Sequence, residues 1–194
     1  MSIFETYVTL GFHHILTLDA YDHILFIIAL CVVYPLEQWR RVTVLVTAFT
    51  VGHSVTLALA TLGLVYIPSR IIEFLIPVTI FLTSLMNVLN NVKAKSSGTI
   101  LGSYFMALFF GLIHGMGFSN YLRLLLGKEQ GLVLPLFSFN LGLEGGQLIV
   151  VILVLALSQI FITNFNILHR KWTVSISSLT AFSALLLIFQ TKIW

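Results

Sequence analysis

Apolar residues along the chain gather into long runs, with polar residues collected in short breaks between them. Runs at about 20–36, 42–64, 71–91, 99–122, 132–162 and 172–191 approach or exceed the roughly 20 residues a helix needs to cross a bilayer. The breaks fall at Pro35 with Glu37-Gln38-Trp39-Arg40-Arg41, at Tyr66 to Arg70, and at residues 90–98, 123–131 and 164–171, which are rich in Pro, Gly, Asn or charge. This pattern predicts six spanning helices rather than the alternating ten-residue strands of a membrane barrel. The run 132–162 is too long for a perpendicular crossing, so a tilted helix is expected there, or one that leaves the hydrocarbon. The first run has the opposite difficulty. Ile24 to Leu36 supplies 13 residues, about 20 Å of helix against roughly 30 Å of hydrocarbon, so Asp22 and His23 must be drawn in. Residues 3–18, apolar but carrying His13 and His14, predict an interfacial or re-entrant segment ahead of that span.

Composition fixes the class. Of 194 residues 58% are apolar and 9% charged, and the mean hydropathy is +1.03. A soluble domain carries about 25% charged residues, so this chain lacks the charge for a solvated surface. The expected fold class is all-α: a polytopic transmembrane helical bundle of about six spans, forming one integral membrane domain over residues 1–194 in contact with the lipid bilayer. The net charge of +3 and pI near 9.2 do not point to nucleic acid, because the Lys and Arg residues sit in the breaks and report topology. With six spans, Arg40, Arg41, Lys93, Lys95, Arg170 and Lys171 share one side, against Arg70, Arg123, Lys128 and Lys192 on the other. That bias places the first group in the cytoplasm and both termini outside it, in a bacterial inner membrane. Cys31 is the single cysteine, so no intrachain disulfide forms. The N-terminus lacks a basic region and a small-residue cleavage site, so no removable signal peptide is expected. Assembly into a homo-oligomer is left open.

Against this background the titratable residues inside the runs need an explanation, since each costs roughly 2.5–3.5 kcal/mol at the centre of a membrane helix. They are Asp22 and His23 in the first run, His53 in the second, His114 in the fourth and Glu144 in the fifth. Alternating helix direction puts all five between the midplane and the N-terminal side of the membrane, with Glu73 at the entrance of the third run on that side too. Ligands from different helices must meet at one level, and a shared depth is what one buried site requires.

Each motif also has a plainer structural meaning. Asp19 and His23 stand one helical turn apart, with Asp22 beside them; a carboxylate at a helix start also caps free amides and favours the dipole. In Thr50–Thr56, Thr50 and Ser54 flank His53, and hydroxyls of this kind can simply bond back to their own helix. His114 sits among Gly111, Gly115 and Gly117, a small-residue pattern that lets helix backbones approach closely. Asn140, Glu144 and Gln147 form one polar stripe on an apolar helix, which must face the bundle interior and could line a hydrophilic path. His13 and His14 suit either cation capture at an entrance or an amphipathic interface. His169, in a charged break, reads as a solvated residue.

Three histidines and two carboxylates on separate helices suit Zn, Cu, Fe or Ni, and the scarcity of cysteine argues against a thiolate site. Proton relay is the rival without metal. No HExxH, GxSxG or paired Ser/Lys pattern supports hydrolysis within the membrane.

The blocks Asp22–Leu30, Ala48–Ala60, Phe110–Phe118 and Phe139–Leu148 resemble, in order, those of the HupE/UreJ family of hydrogenase/urease accessory membrane proteins. The resemblance covers about residues 12–150. It implies secondary permease activity toward nickel, with Asp22 and His23 as the family's Asp-His pair, His53 in its His-Ser block, and His114 and Glu144 in the later blocks. The stretch His13 to His23 lacks the Pro and the Gly that this pattern usually carries. The resulting expectation is a permease for a divalent transition metal, nickel first and Zn, Cu or Fe next. Asp22, His23, His53, His114 and Glu144 would hold the ion. His13, His14, Asp19 and Glu73 would attract it, and Asn140, Gln147, Ser54 and Thr50 would line its path. An intramembrane metalloenzyme at the same residues and a metal-free assembly factor are the alternatives that stay open.

Overall fold

Ser2 opens the first helix with a capping box: its hydroxyl accepts from the Glu5 amide at 3.2 Å, and the Glu5 carboxylate accepts from the Ser2 amide at 2.9 Å. The computed structural model describes residues 2–17, 21–92, 100–119, 122, 125 and 131–191. Its helices are α1 (Ile3–Leu16), α2 (Tyr21–Cys31), α3 (Trp39–Thr61), α4 (Ser69–Val92), α5 (Ile100–Gly117), α6 (Val133–Asn164) and α7 (His169–Gln190), with a 3-10 turn at Leu36–Gln38 leading into α3. No strand occurs among the described residues. The fold is the expected all-α bundle.

The spans differ from the sequence pattern in detail. Four stretches are long and apolar enough to cross a membrane: Leu36–Thr61, Ser69–Asn90, Val133–Asn164 and His169–Gln190. A fifth arises if α1 and α2, bent by 70° from one another, count as one broken span. The first span expected at 20–36 is thus the second part of a broken one, preceded by α1 where an interfacial or re-entrant segment is expected over 3–18. Its helical part, α2, has 11 residues, about 16 Å, and α1 supplies the remaining length. α5, expected over 99–122, is an 18-residue helix of about 27 Å. α6 runs for 32 residues, about 48 Å, so it exceeds the hydrocarbon as expected.

Three helix pairs build the bundle: α3 with α5, α1 with α6, and α4 with α7. Glycine makes the first two so close. A Cβ on Gly52 would run into the Leu108 carbonyl oxygen, one on Gly111 into that of Phe49, and one on Gly115 into that of His53. In the other pair a Cβ on Gly11 would strike the Phe139 oxygen, and one on Gly142 the Val8 oxygen. Backbone-on-backbone packing of this kind replaces the hydrophobic drive that lipid cannot supply. α7, which packs on α4, buries small residues instead: Thr173, Ser177, Thr180 and Ala184. Its Leu179, Phe182, Leu186 and Phe189 remain exposed on the outside of the bundle.

α2 lies between these pairs, with Phe26, Ile27, Ala29 and Cys31 all at most 1% exposed. A helix that stops inside a bundle leaves carbonyls to be satisfied. Here α4 and α7 satisfy them: Asn87 Nδ2 donates to the Ala29 oxygen at 2.7 Å and Thr173 Oγ1 to the Val32 oxygen at 2.9 Å. At its other end α2 begins with Asp22 and His23, next to the last turn of α1, which carries His13 and His14. The break between α1 and α2 is where the titratable residues converge.

Candidate functional site

His23 is the hub of the site. Asp22 Oδ1 accepts from the His23 amide at 2.8 Å and lies 2.9 Å from His23 Nδ1. An ionised carboxylate only accepts, so Nδ1 carries the proton, and in the neutral ring the lone pair falls on Nε2, the arrangement found behind metal-ligating histidines. His23 is 5% exposed and its Nε2 points away from Asp22 into the bundle, without a hydrogen-bond partner.

Three further imidazoles surround it. Ring centroids lie 5.0 Å away for His14, 5.4 Å for His114 and 6.0 Å for His53. Two imidazoles that share one ion, each nitrogen about 2.1 Å from it, hold their centroids about 5 Å apart, so this spacing is close to what shared coordination needs. His53 is fully buried and His114 is 1% exposed. Both nitrogens of each ring are buried without a partner, as are His14 Nε2 and His23 Nε2. A buried polar atom without a hydrogen bond costs about 1–3 kcal/mol. Six such nitrogens at one locus, on α1, α2, α3 and α5, are donors fit for a transition metal. As placed, no three His, Cys, Asp or Glu side chains among the described residues close a coordination shell.

Aromatic rings wall the cluster. Phe49 lies 5.0 Å from His114, Phe26 5.3 Å from His114, and Phe118 4.2 Å from His14. Phe118 stacks in turn on Phe139 at 5.0 Å. Such walls limit the polar partners within reach of the imidazoles.

Glu144 is differently partnered. Thr47 Oγ1 donates to Glu144 Oε1 at 2.7 Å, and Thr50 Oγ1 to Gln147 Oε1 at 2.7 Å, tying α6 to α3. Gly145 and Gly146, which follow Glu144, face Phe12 and Ile15 on either side of His14. Ser54 Oγ donates to the Thr50 carbonyl of its own helix at 2.7 Å. Asn140 Nδ2 donates to the Leu136 carbonyl at 2.8 Å, while its Oδ1 is buried without a partner.

The residues expected at the entrance separate too. His14 is inside the cluster, whereas His13 is exposed on α1 and Glu73 is exposed near the start of α4. Asp19 lies outside the described residues, as do Lys93, Lys95, Arg123, Lys128 and Lys192. Sequence reasoning did not single out Thr47, Phe26 or Phe49. Phe49 stands four residues before His53 on the same face, the one signal that could have found it.

Fold and site together define a polytopic helical membrane protein with a nitrogen-rich cluster where a broken helix meets two others, α3 and α5. The chain belongs to the HupE/UreJ family, whose model, described as HupE / UreJ protein, matches residues 1–192. Membership makes it an accessory membrane protein of a family related to metal handling. Comparison with curated proteins and with solved structures gives no match.

Proposed function

We propose that this protein is a permease for a divalent transition-metal ion, with nickel as the first candidate substrate. The observation that carries the reading is the set of six buried, unpartnered imidazole nitrogens on four helices. His23, His114, His53 and His14 take the ion, and Asp22 holds His23 in the ligating tautomer. Nitrogen donors of this softness favour Ni, Cu, Zn or Fe over Mg and Ca. Protons compete with the ion for the same lone pairs and offer a route to release. Glu144 and Gln147 secure α6 to α3 beside the site. His13 and Glu73 provide polar groups outside the cluster for the incoming cation, and the sequence adds Asp19 as a further candidate. The Lys and Arg distribution favours a bacterial inner membrane with both termini outside the cytoplasm.

Elemental analysis of the purified protein beside a His53→Ala/His114→Ala variant tests the site, and uptake of radioactive nickel into proteoliposomes tests the activity. The expected result is near-stoichiometric metal that exchanges on mild chelation, lost together with uptake in the variant. Absence of metal from both proteins after incubation with Ni, Zn and Cu would overturn the reading. An ion that resists chelation would move the assignment to a fixed metalloenzyme centre.

A further inference from the structure

The two glycine crossings have the same construction. Gly11 faces the Phe139 oxygen and the Leu143 amide of α6, and Gly111 faces the Phe49 oxygen and the His53 amide of α3. Reciprocally, Gly142 faces the Val8 oxygen and the Phe12 amide, and Gly52 faces the Leu108 oxygen and the Leu112 amide. Gly11 therefore plays the part of Gly111, and Gly142 that of Gly52. The sequence carries the same correspondence. Gly11, His14 and Tyr21 recur, at unchanged spacing, as Gly111, His114 and Tyr121. Phe49-Thr50-Val51-Gly52 recurs as Phe139-Asn140-Leu141-Gly142, with Ser54 and Glu144 each two residues further on. α4 and α7 begin at Ser69 and His169, each followed by Arg.

Helix directions then show how the two halves are related. Asn87, late in α4, and Thr173, in the first turn of α7, both reach the end of α2, so α4 arrives where α7 departs and the two run oppositely. A short connector makes α6 antiparallel to α7, with Trp172 Nε1 donating to Ser158 Oγ at 3.0 Å. Another short connector makes α3 antiparallel to α4. Around each crossing the contacts advance together along both chains, so α1 runs parallel to α6 and α5 parallel to α3. Hence α1, α4 and α6 point one way, and α3, α5 and α7 the other. Equivalent helices, α1 with α5, α6 with α3 and α4 with α7, are opposed.

We propose that the chain is an inverted repeat, its halves 1–92 and 100–191 related by a two-fold axis in the membrane plane, and that the α1–α6 pair rocks against the α3–α5 pair to open the imidazole cluster to the two sides in turn. The second part rests on the permease reading. Within each pair, backbone touches backbone at glycine, so each pair moves as one body. Between the pairs α3 and α6 are joined by hydrogen bonds of side chains, Thr47 with Glu144 and Thr50 with Gln147. The cluster straddles this softer boundary: His14 comes from one pair, His53 and His114 from the other, and His23 from α2 between them. Inverted repeats with a site at a broken helix are a recurrent basis of alternating access. The repeat is unequal where it matters, since Asp22 and His23 stand where the second half has Leu122 and Arg123. One half thus supplies a ligand pair that the other does not repeat.

The test uses the full-length protein with Cys31→Ser and the pair Thr50→Cys/Gln147→Cys, bridged by a short reducible thiol cross-linker. Nickel uptake in proteoliposomes should stop on cross-linking and return with reductant, while nickel binding measured by equilibrium dialysis persists throughout. Uptake that continues across the bridged pair would overturn the rocking step. Failure of the pair to cross-link would overturn the contact on which it depends. If the parent protein binds no nickel, the permease reading fails, and the repeat is decided separately by labelling. For that, Ser69→Cys and Leu168→Cys are probed with a membrane-impermeant maleimide, and the inverted repeat requires them to react from opposite sides. Reaction from the same side would overturn it.

Discussion

Two polar regions lie within one bundle and were built on opposite terms. In the seam between α3 and α6, Thr47 bonds Glu144 and Thr50 bonds Gln147, so the costly groups answer one another. In the cluster around His23, six ring nitrogens are equally buried and answer nothing. A satisfied pair holds helices together at modest net gain, about 0.5–1.5 kcal/mol per hydrogen bond. An orphaned group lowers stability and persists in a fold only where something else requires it. The seam therefore reads as structure and the cluster as a place prepared for a ligand, although residue types alone would rank Glu144 and His53 together.

The sharpest way to break this comparison is His53→Leu. Binding of nickel, measured by equilibrium dialysis, should be lost. The metal-free protein should nevertheless unfold at a higher temperature in detergent, because two orphaned nitrogens worth about 1–3 kcal/mol each are replaced by a well-packed apolar group. A lowered unfolding temperature would mean that those nitrogens already have partners, and the cluster would join the seam as structure. Asp22→Asn should act less severely. The amide still touches His23, but it no longer fixes the tautomer by charge, and loss of such a partner typically weakens metal affinity by about 10–100-fold. Unchanged affinity in a titration calorimeter would remove Asp22 from any role behind the ligand.

The membrane class and the helical bundle were legible because lipid imposes two conditions that composition cannot disguise: long apolar runs, and basic residues kept to the breaks. His23, His53 and His114 were legible for the same reason, since each stands in hydrocarbon at a cost. Glu144 passed the same test and yet is hydrogen-bonded by Thr47, because hydropathy gives depth along one helix and says nothing of the hydroxyl opposite. Thr47, its partner, has no unusual feature in its own helix. The separate segment ahead of α2 was legible at 3–18, but how α2 stops inside the bundle was hidden. Ile24 to Leu36 shows only that the run is short, whereas the support for a stopped helix comes from Asn87 and Thr173, far away in sequence. His14 moves from the entrance to the centre through Gly11, whose contact with α6 swings the end of α1 inward.

The finest test of the comparison falls on the seam. Gln147 is 1% exposed, and its Oε1 accepts from Thr50 at 2.7 Å. Gln147→Leu leaves the Thr50 hydroxyl with the Val46 carbonyl of its own helix, 3.1 Å away, so the donor is not stranded. The expected loss is therefore small, about 1 kcal/mol of stability, read as a slight fall in unfolding temperature. Nickel affinity should not move, because no ring nitrogen changes its surroundings. A drop in affinity comparable with that of Asp22→Asn would show that seam and cluster form one site, with the ion's path running between α3 and α6. Set beside His53→Leu, this variant separates the two kinds of buried polarity by sign: one substitution removes binding and adds stability, while the other keeps binding and loses a little stability.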